Sequence, residues 1–289
     1  MKIVTDRGCD LSEEQTRGLE LHYVPMHLTL DGKTYSSGED ITSQHFYELL
    51  DQTESFPTTS QAGVGDFVDL YRRLAQSDPE ILSIHISSGL SGTLNSARTA
   101  AEMVPEAKVT LWDTMTLSGP QGWQVEAAAK AIKAGWPLDK ALELAAKVRA
   151  ASVGMFTLDT MKYLIHGGRI SHLKGLLASL LQIRPIISVD KEHGKYYTVS
   201  QERTMKRALQ KMPSAVAGLY PGVKKMRAQL IHGHNLEGIA RLKEAMEAEF
   251  ECAWLPTVTV GPILGAHTGS SLVGMSVGPA DTFAGFPDE

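Results

Sequence analysis

Hydrophobic and polar positions follow two different periods along this chain. "KIVTD" at residues 2–6 is a short apolar run ending on a charge, the pattern of a buried strand. Residues 24–41, "VPMHLTLDGKTYSSGEDI", alternate apolar and polar side chains around Asp31-Gly32, which predicts a hairpin. Residues 42–52 take the helical period, with Thr42 placed to cap it. The pattern then predicts a loop over 56–65, a helix over 66–77 and a strand, "ILSIHI", over 81–86. A helix to about residue 104, a strand at 109–114 and two helices broken near Gly135 and Pro137 follow. Such alternation predicts a mostly parallel sheet with helices on its faces.

Beyond about residue 151 the pattern changes. "VGMFTLD" (153–159) reads as a strand, and "YLIHGGRISHLKG" (163–175) as a polar link broken by glycines. "LLASLLQI" (176–183) reads as a short apolar helix, and 184–200 as two strands turning at His193-Gly194. A helix from about 203, a strand at 226–233 and a helix at 236–250 come next, and strand-like pieces are expected around 260–278. The expected fold is α/β with two domains. Residues 1–152 carry a mainly parallel sheet flanked by helices, and residues 153–289 form an α+β domain.

Composition narrows the function. The chain has 289 residues and is 43% hydrophobic and 21% charged, ordinary for soluble globular proteins. Its net charge is 28 minus 33, or −5, which argues against nucleic acid as a partner. Two cysteines, Cys9 and Cys252, make no disulfide framework and suit a reducing compartment. "MKIVTDRGCD" does not read as a signal peptide, and no apolar run reaches the ~18 residues that span a bilayer. The expectation is a cytoplasmic, soluble protein.

Candidate chemistry centres on residues 84–97, "IHISSGLSGTLNSA", where a strand hands over to a helix amid five hydroxyls and two glycines. Ligands of open α/β sheets bind outside the carboxyl ends of the strands. A helix start there offers free N–H groups, so Ser91 and its neighbours suit an anion. Helix capping by Ser91 or Thr93 explains the same residues. A nucleophile elbow requires G-x-S-x-G, but Thr93 stands at its last position; a Walker A loop requires a lysine that is absent. His232 and His234 lack further ligands at metal spacing and read as surface histidines, so no metal is expected. Three more polar islands are each bland alone: "PTTSQAG" (57–63), "HGGRIS" (166–171) and "GPILGAHTGSS" (261–271).

Together they are specific. "TSQ", "SSGLSGT", "GGRIS" and "GPILGAHTG", in this order and at these separations, resemble the DegV family of bacterial fatty-acid-binding proteins. That family includes the fatty-acid-binding subunit of bacterial fatty acid kinase. The likeness runs over nearly the whole chain. It implies two α/β-type domains with a long-chain fatty acid held between them, its tail in an apolar tunnel. It implies that Thr59 and Ser91 hydrogen-bond the carboxylate, and that Arg169 and His267 lie near the headgroup when it becomes an acyl phosphate. Ser60, Gln61, Gly92 and Thr268 stand beside these positions as supporting residues. The apolar run 175–187 is a candidate tunnel wall. The family commonly has "TSQPS" and "GAHTGPG" where this chain has "TSQAG" and "GAHTGSS".

The leading expectation is therefore a carrier without cofactor, which presents a fatty acid to a separate ATP-dependent kinase and touches membrane surfaces only during lipid exchange. Arg203, Lys206 and Arg207 are candidates for docking that kinase, although a solvated helix face explains them as well. Two alternatives stand beside it. One is an esterase or acyl transferase using Ser91 with His267 as base; the other is a lipid buffer or sensor with no kinase partner.

Overall fold

The computed structural model describes residues 1–176 and 183–287. From the N-terminus run β1 (Lys2–Thr5), α1 (Glu13–Thr16), β2 (Leu21–Tyr23), β3 (His27–Leu30), β4 (Lys33–Ser36), α2 (Ser43–Gln52), β5 (Thr58–Ser60), α3 (Val64–Ala75), β6 (Glu80–His85), α4 (Thr93–Met103), β7 (Lys108–Asp113), α5 (Ser118–Lys133) and α6 (Leu138–Ala151). Then come β8 (Val153–Thr157), α7 (Lys162–His166), a 3-10 segment (Arg169–Leu176), β9 (Arg184–Val189), β10 (Tyr196–Glu202), α8 (Met205–Leu219), β11 (Lys225–His232), α9 (Leu236–Glu247), β12 (Glu251–Trp254), β13 (Val258–Thr259), α10 (Pro262–Thr268), β14 (Val273–Pro279) and α11 (Ala280–Phe283).

Among the described residues three sheets form. The first is parallel, in the order β2-β1-β6-β7. Its central strand β6 is buried from Ile81 to His85, as expected where both faces of a parallel sheet are covered. The second is a small antiparallel sheet, β4-β3-β5, whose hairpin turns at Asp31 and Gly32, both at positive φ. The third, in the order β10-β9-β8-β14-β11-β12, has β13 added to β11 and mixes antiparallel and parallel pairs. Among the described residues no strand before residue 114 pairs with a strand after residue 152. The fold is α/β, with a second mixed sheet after the parallel one. No helix of the described residues is long and apolar enough to cross a membrane.

Three elements differ from the sequence expectation. The loop over 56–65 contains β5, which pairs with β3 in the register Leu28↔Thr59. The polar link over 163–175 is helical, because α7 buries Tyr163 and Leu164 and places its remaining side chains outward. The glycine-rich piece at 261–269 is not a strand end. Gly261 caps α10, Pro262 occupies its first position, and its seven residues are all buried. The apolar helix expected over 176–183 falls largely outside the described residues.

Helix α5 lies between the large sheets and is buried from Ser118 to Ala129. A helix buried all round is normally apolar; here polar residues face partners instead. Gln121 donates to Asp6 (3.0 Å), Gln124 accepts from the Trp112 indole (2.9 Å), and Glu126 pairs with Arg227 of the third sheet. Asp6 also accepts from the Gly8 amide (2.8 Å), the Ile86 amide (2.9 Å) and His85 Nδ1 (2.9 Å). His85 Nε2 meets Ser83 Oγ at 2.6 Å, and Ser83 meets the Tyr71 hydroxyl at 2.7 Å. This Ser-His-Asp chain has the connectivity of a hydrolase triad, yet all four side chains are sealed from solvent. It is a brace. Burial opposes the charge on Asp6, but His85, the Ile86 amide and Gln121 outweigh it and hold the carboxyl below its ordinary range.

Asp10 sets the entry of α10: it accepts from the Ser118 hydroxyl (2.6 Å) and from the Gly261 amide (2.9 Å). Burial pushes its carboxyl up from 3.8 to about 6 against those two bonds. The folded chain therefore retains a proton here that the unfolded chain releases nearer 3.8. Between those values stability falls as pH rises, and above about 6 the ionised group is a constant cost. Asp10→Asn keeps an acceptor for Gly261 and gains a donor for Ser118. The variant is expected to gain about 1–3 kcal/mol over the parent at pH 8, an advantage that fades toward pH 4. Urea unfolding across that range measures it; an equal difference at every pH contradicts the assignment.

Candidate functional site

The chain leaves β6 at His85 and passes through Ile86 to Gly92 before α4 begins. This is the carboxyl end of a central parallel strand, where α/β folds place ligands. A cavity of about 40 Å³ opens there, room for a few water-sized groups such as a carboxylate. Its polar lining is Thr59, Gln61, Ser91, Arg169 and His267; its apolar wall includes Met26, Ile86, Leu90, Leu117, Ile263 and Leu264, with Tyr196 from β10. Several of these belong to a buried apolar cluster that continues through Phe156, Leu164, Ile170 and Ile187.

His267 projects from α10 and its Nε2 lies 2.8 Å from Thr59 Oγ1. Its Nδ1 is buried without a hydrogen-bond partner among the described residues. That nitrogen presses on the backbone of Gly167, where an added Cβ would stand 2.1 Å away. Burial, with help from Arg169 and His166, lowers the imidazole to about 4, so it is neutral near pH 7. A buried N–H with no acceptor costs more than a buried ring nitrogen with no donor. The proton is therefore assigned to Nε2, which donates to Thr59 Oγ1. The Thr59 hydroxyl hydrogen is then left to point elsewhere, and the cavity is the open direction.

Ser91 sits one residue before the Gly92 N-cap of α4, which carries no side-chain cap. Its Oγ accepts from the Thr93 amide at 3.3 Å and meets Thr93 Oγ1 at 2.9 Å. Thr93 is fully buried. The helix cap is thus Gly92 and neither Ser91 nor Thr93; Ser91 meets the first helical amide from outside the cap, and it also borders the cavity. Arg169 opens the 3-10 segment; its Nη1 donates to the Gly167 carbonyl at 2.7 Å. Among the described residues it pairs with no carboxylate. Two hydroxyl donors, a helix N-terminus and a guanidinium make a site for an anion.

The structure does not gather every position the sequence singled out. Ser60 is exposed on the other side of β5 and is absent from the lining. Thr268 turns back onto its own helix, donating to the Leu264 carbonyl at 3.0 Å. Arg203, Lys206 and Arg207 are exposed around the Thr204 cap of α8, and none lines the cavity. His232 is not a surface histidine: it is buried, with Nδ1 3.0 Å from the Gly233 carbonyl, and only His234 is exposed, near Asp51. Within the candidate tunnel wall Ile186 and Ile187 are buried, whereas 177–182 lie outside the described residues. The two departures fall at helix ends. Ala62 and Gly63 enter α3, and Ser270 and Ser271 leave α10, where Ser271 Oγ accepts from the Asp159 amide at 3.2 Å. Reading the sequence missed Asp10 and Tyr196. Neither carries a local pattern, since each is brought in by tertiary contact alone.

A family model described as an uncharacterised protein of the DegV family matches residues 1–280. The chain belongs to the DegV family. DegV domain-containing proteins of Listeria monocytogenes and Staphylococcus aureus are each 32% identical to it, over 95% of this chain and 96% and 97% of theirs. A fatty-acid-binding DegV family protein of Thermus thermophilus superposes with a TM-score of 0.86 at 28% identity, covering 96% of this chain and 99% of that one. DegV of Bacillus subtilis, a fatty acid binding protein, superposes with a TM-score of 0.85 at 27% identity, over 96% and 98%. The B3 protein of Streptococcus pneumoniae fatty acid kinase, loaded with linoleic acid, shares the DegV fold with a TM-score of 0.80 at 19% identity.

The buried imidazole gives a direct check. His267 titrates near 4 when folded and near 6.5 when unfolded, so its contribution to stability is lost as pH falls from 6.5 toward 4. In ring-nitrogen NMR His267 is expected to remain neutral, with its proton on Nε2, down to about pH 5. A midpoint near 6.5 would place the ring in solvent.

Proposed function

We propose that this protein binds a long-chain fatty acid, with its carboxylate on Thr59 and Ser91 and its tail along the apolar wall. Arg169 and His267 flank the headgroup. The observation that carries the reading is the Thr59–His267 contact of 2.8 Å at the cavity that Ser91 and Arg169 also line; with the ring proton on Nε2, the threonine hydroxyl is free to donate to a ligand there. A carboxylate only accepts hydrogen bonds, so it matches a ring of donors. Neutral hydroxyls hold it without the full desolvation cost of a buried ion pair. Each buried methylene of the tail adds about 0.8 kcal/mol, so a 16-carbon chain brings on the order of 10 kcal/mol before ordering costs. Residues 175–187 are the proposed wall of the tunnel.

The same reading takes residues 1–152 and 153–289 as two domains, which the confinement of strand pairing to either side supports. It makes the protein a cytoplasmic carrier that hands its acid to a separate ATP-dependent kinase, carries the acyl phosphate onward and meets membranes only peripherally. The sequence holds no Walker A loop, which supports a partner as the source of phosphate. Arg203, Lys206 and Arg207, exposed together at the start of α8, are the proposed docking charges. The hydrolase reading has less support. His267 is bonded to Thr59 rather than Ser91, and a base lowered to about 4 is poorly matched to neutral pH.

Organic extraction of the purified, denatured protein followed by mass spectrometry is expected to release a fatty acid near one per chain. A clean blank, together with no binding of added oleate, would overturn the reading. Thr59→Ala and Ser91→Ala each remove a donor and are expected to weaken binding by about 1–3 kcal/mol, or roughly five- to 150-fold. Arg169→Ala and His267→Ala are expected to lower phosphoryl transfer by the partner kinase more than they lower acid affinity, which a titration beside a coupled assay separates.

A further inference from the structure

Gln61 borders the cavity but makes its hydrogen bond away from it. Its Nε2 donates to Ser96 Oγ at 3.0 Å, in the first turns of α4, and Ser96 is itself buried. Gln61 lies two residues beyond Thr59, just past the end of β5, and both side chains line the cavity. Its Oε1 lies against Gly92, the residue between Ser91 and Thr93; a Cβ built on Gly92 would stand 2.1 Å from that oxygen. The φ of Gly92 is −80°, a conformation open to any residue. Backbone freedom therefore does not explain the glycine, whereas the close approach of Gln61 does. One side chain thus spans the segment that carries Thr59 and the segment that carries Ser91, with one end bonded to α4 and the other resting on the N-cap.

We infer that Gln61 is a positioning residue that locks the Thr59 strand to the start of α4 and so sets the spacing of the two hydroxyls that receive the anion. It acts through Gly92 and Ser96 and leaves the contact with the acid to Thr59 and Ser91. The inference rests on the proposed fatty-acid site for its effect on binding, but the latch itself exists without any lipid. β5 has three residues and, among the described residues, pairs only with β3, so its own ladder restrains it weakly, and a side-chain tie across to α4 supplies a second point of attachment.

The geometry allows a test in which three different substitutions break the same latch. Gln61→Ala removes the latch. Gly92→Ala leaves Gln61 in the chain but fills the space its amide occupies, and Ser96→Ala removes the acceptor. Each is expected to speed amide hydrogen exchange in residues 91–97 of the lipid-free protein. Each is also expected to weaken binding of oleate by about three- to tenfold, and to weaken binding of methyl oleate, which has no anionic headgroup, by less. The double variant Gln61→Ala, Gly92→Ala is expected to be no worse than either single one, because a contact cannot be lost twice. Unchanged exchange in all three single variants overturns the latch, whatever the protein binds. Faster exchange with additive losses in the double variant also overturns it, since the two residues would then act separately. If exchange rises as expected and the parent protein binds no oleate, the latch stands and the fatty-acid reading fails.

Discussion

The carboxylate of Asp6 is the constraint from which the rest of the architecture follows. It sits at the end of β1 with no exposure to solvent, and its oxygens accept from Gly8, His85, Ile86 and Gln121. A buried carboxylate is tolerable only when its lone pairs are filled, and here the donors come from three separate elements. The β1 exit, the β6 exit and α5 are thereby held at one point. Ile86 belongs both to this cluster, through its amide, and to the cavity, through its side chain. The position of the segment leading to Ser91 is in this way a consequence of charge burial beneath it.

Asp10 repeats the device one turn of chain later. It reaches across to the amide of Gly261 and so places α10, and α10 in turn delivers His267 to Thr59. Two acidic residues four apart thus organise the two sides of one cavity. Their titration behaviour differs because their donors differ. Asp6 faces His85, the Ile86 amide and Gln121, which overcome burial, whereas Asp10 has a hydroxyl and one amide, which do not. His267 and Asp10 then work in opposite senses over nearly the same interval of pH, one losing and the other gaining stability on acidification.

The seam between the two large sheets is polar where a simpler design would be greasy. Gln121, Gln124 and Glu126 of α5 are buried, and each is spoken for by a partner outside its own helix. Arg227 lies over the ring of Trp123 as it reaches Glu126. Partner loss in such a seam leaves an unpaired buried group, so relative placement of the two sides is specified more sharply than apolar contact alone would specify it. A site built from residues of both sides, such as Thr59 with His267 and Arg169, depends on that placement.

Much of this was legible along the chain. Period and turn chemistry marked the hairpin at Asp31-Gly32, the Thr42 cap, the central strand before Ser87 and the break between α5 and α6, because local sterics and burial on one face decide such features. Four short motifs in register marked Thr59, Ser91, Arg169 and His267, and the structure brings all four to one cavity. What the chain alone left open were the features that need a partner far away. β5 is a strand only because β3 lies beside it. "GPILGAHTG" forms a helix whose entry is held by Asp10, which accepts from the Gly261 amide 251 positions away. The polar residues of α5 are buried because the third sheet also covers the helix. Short-range pattern reports which face of a segment is apolar; it carries no record of which distant donor meets a buried acceptor, and in this protein that pairing decided the site.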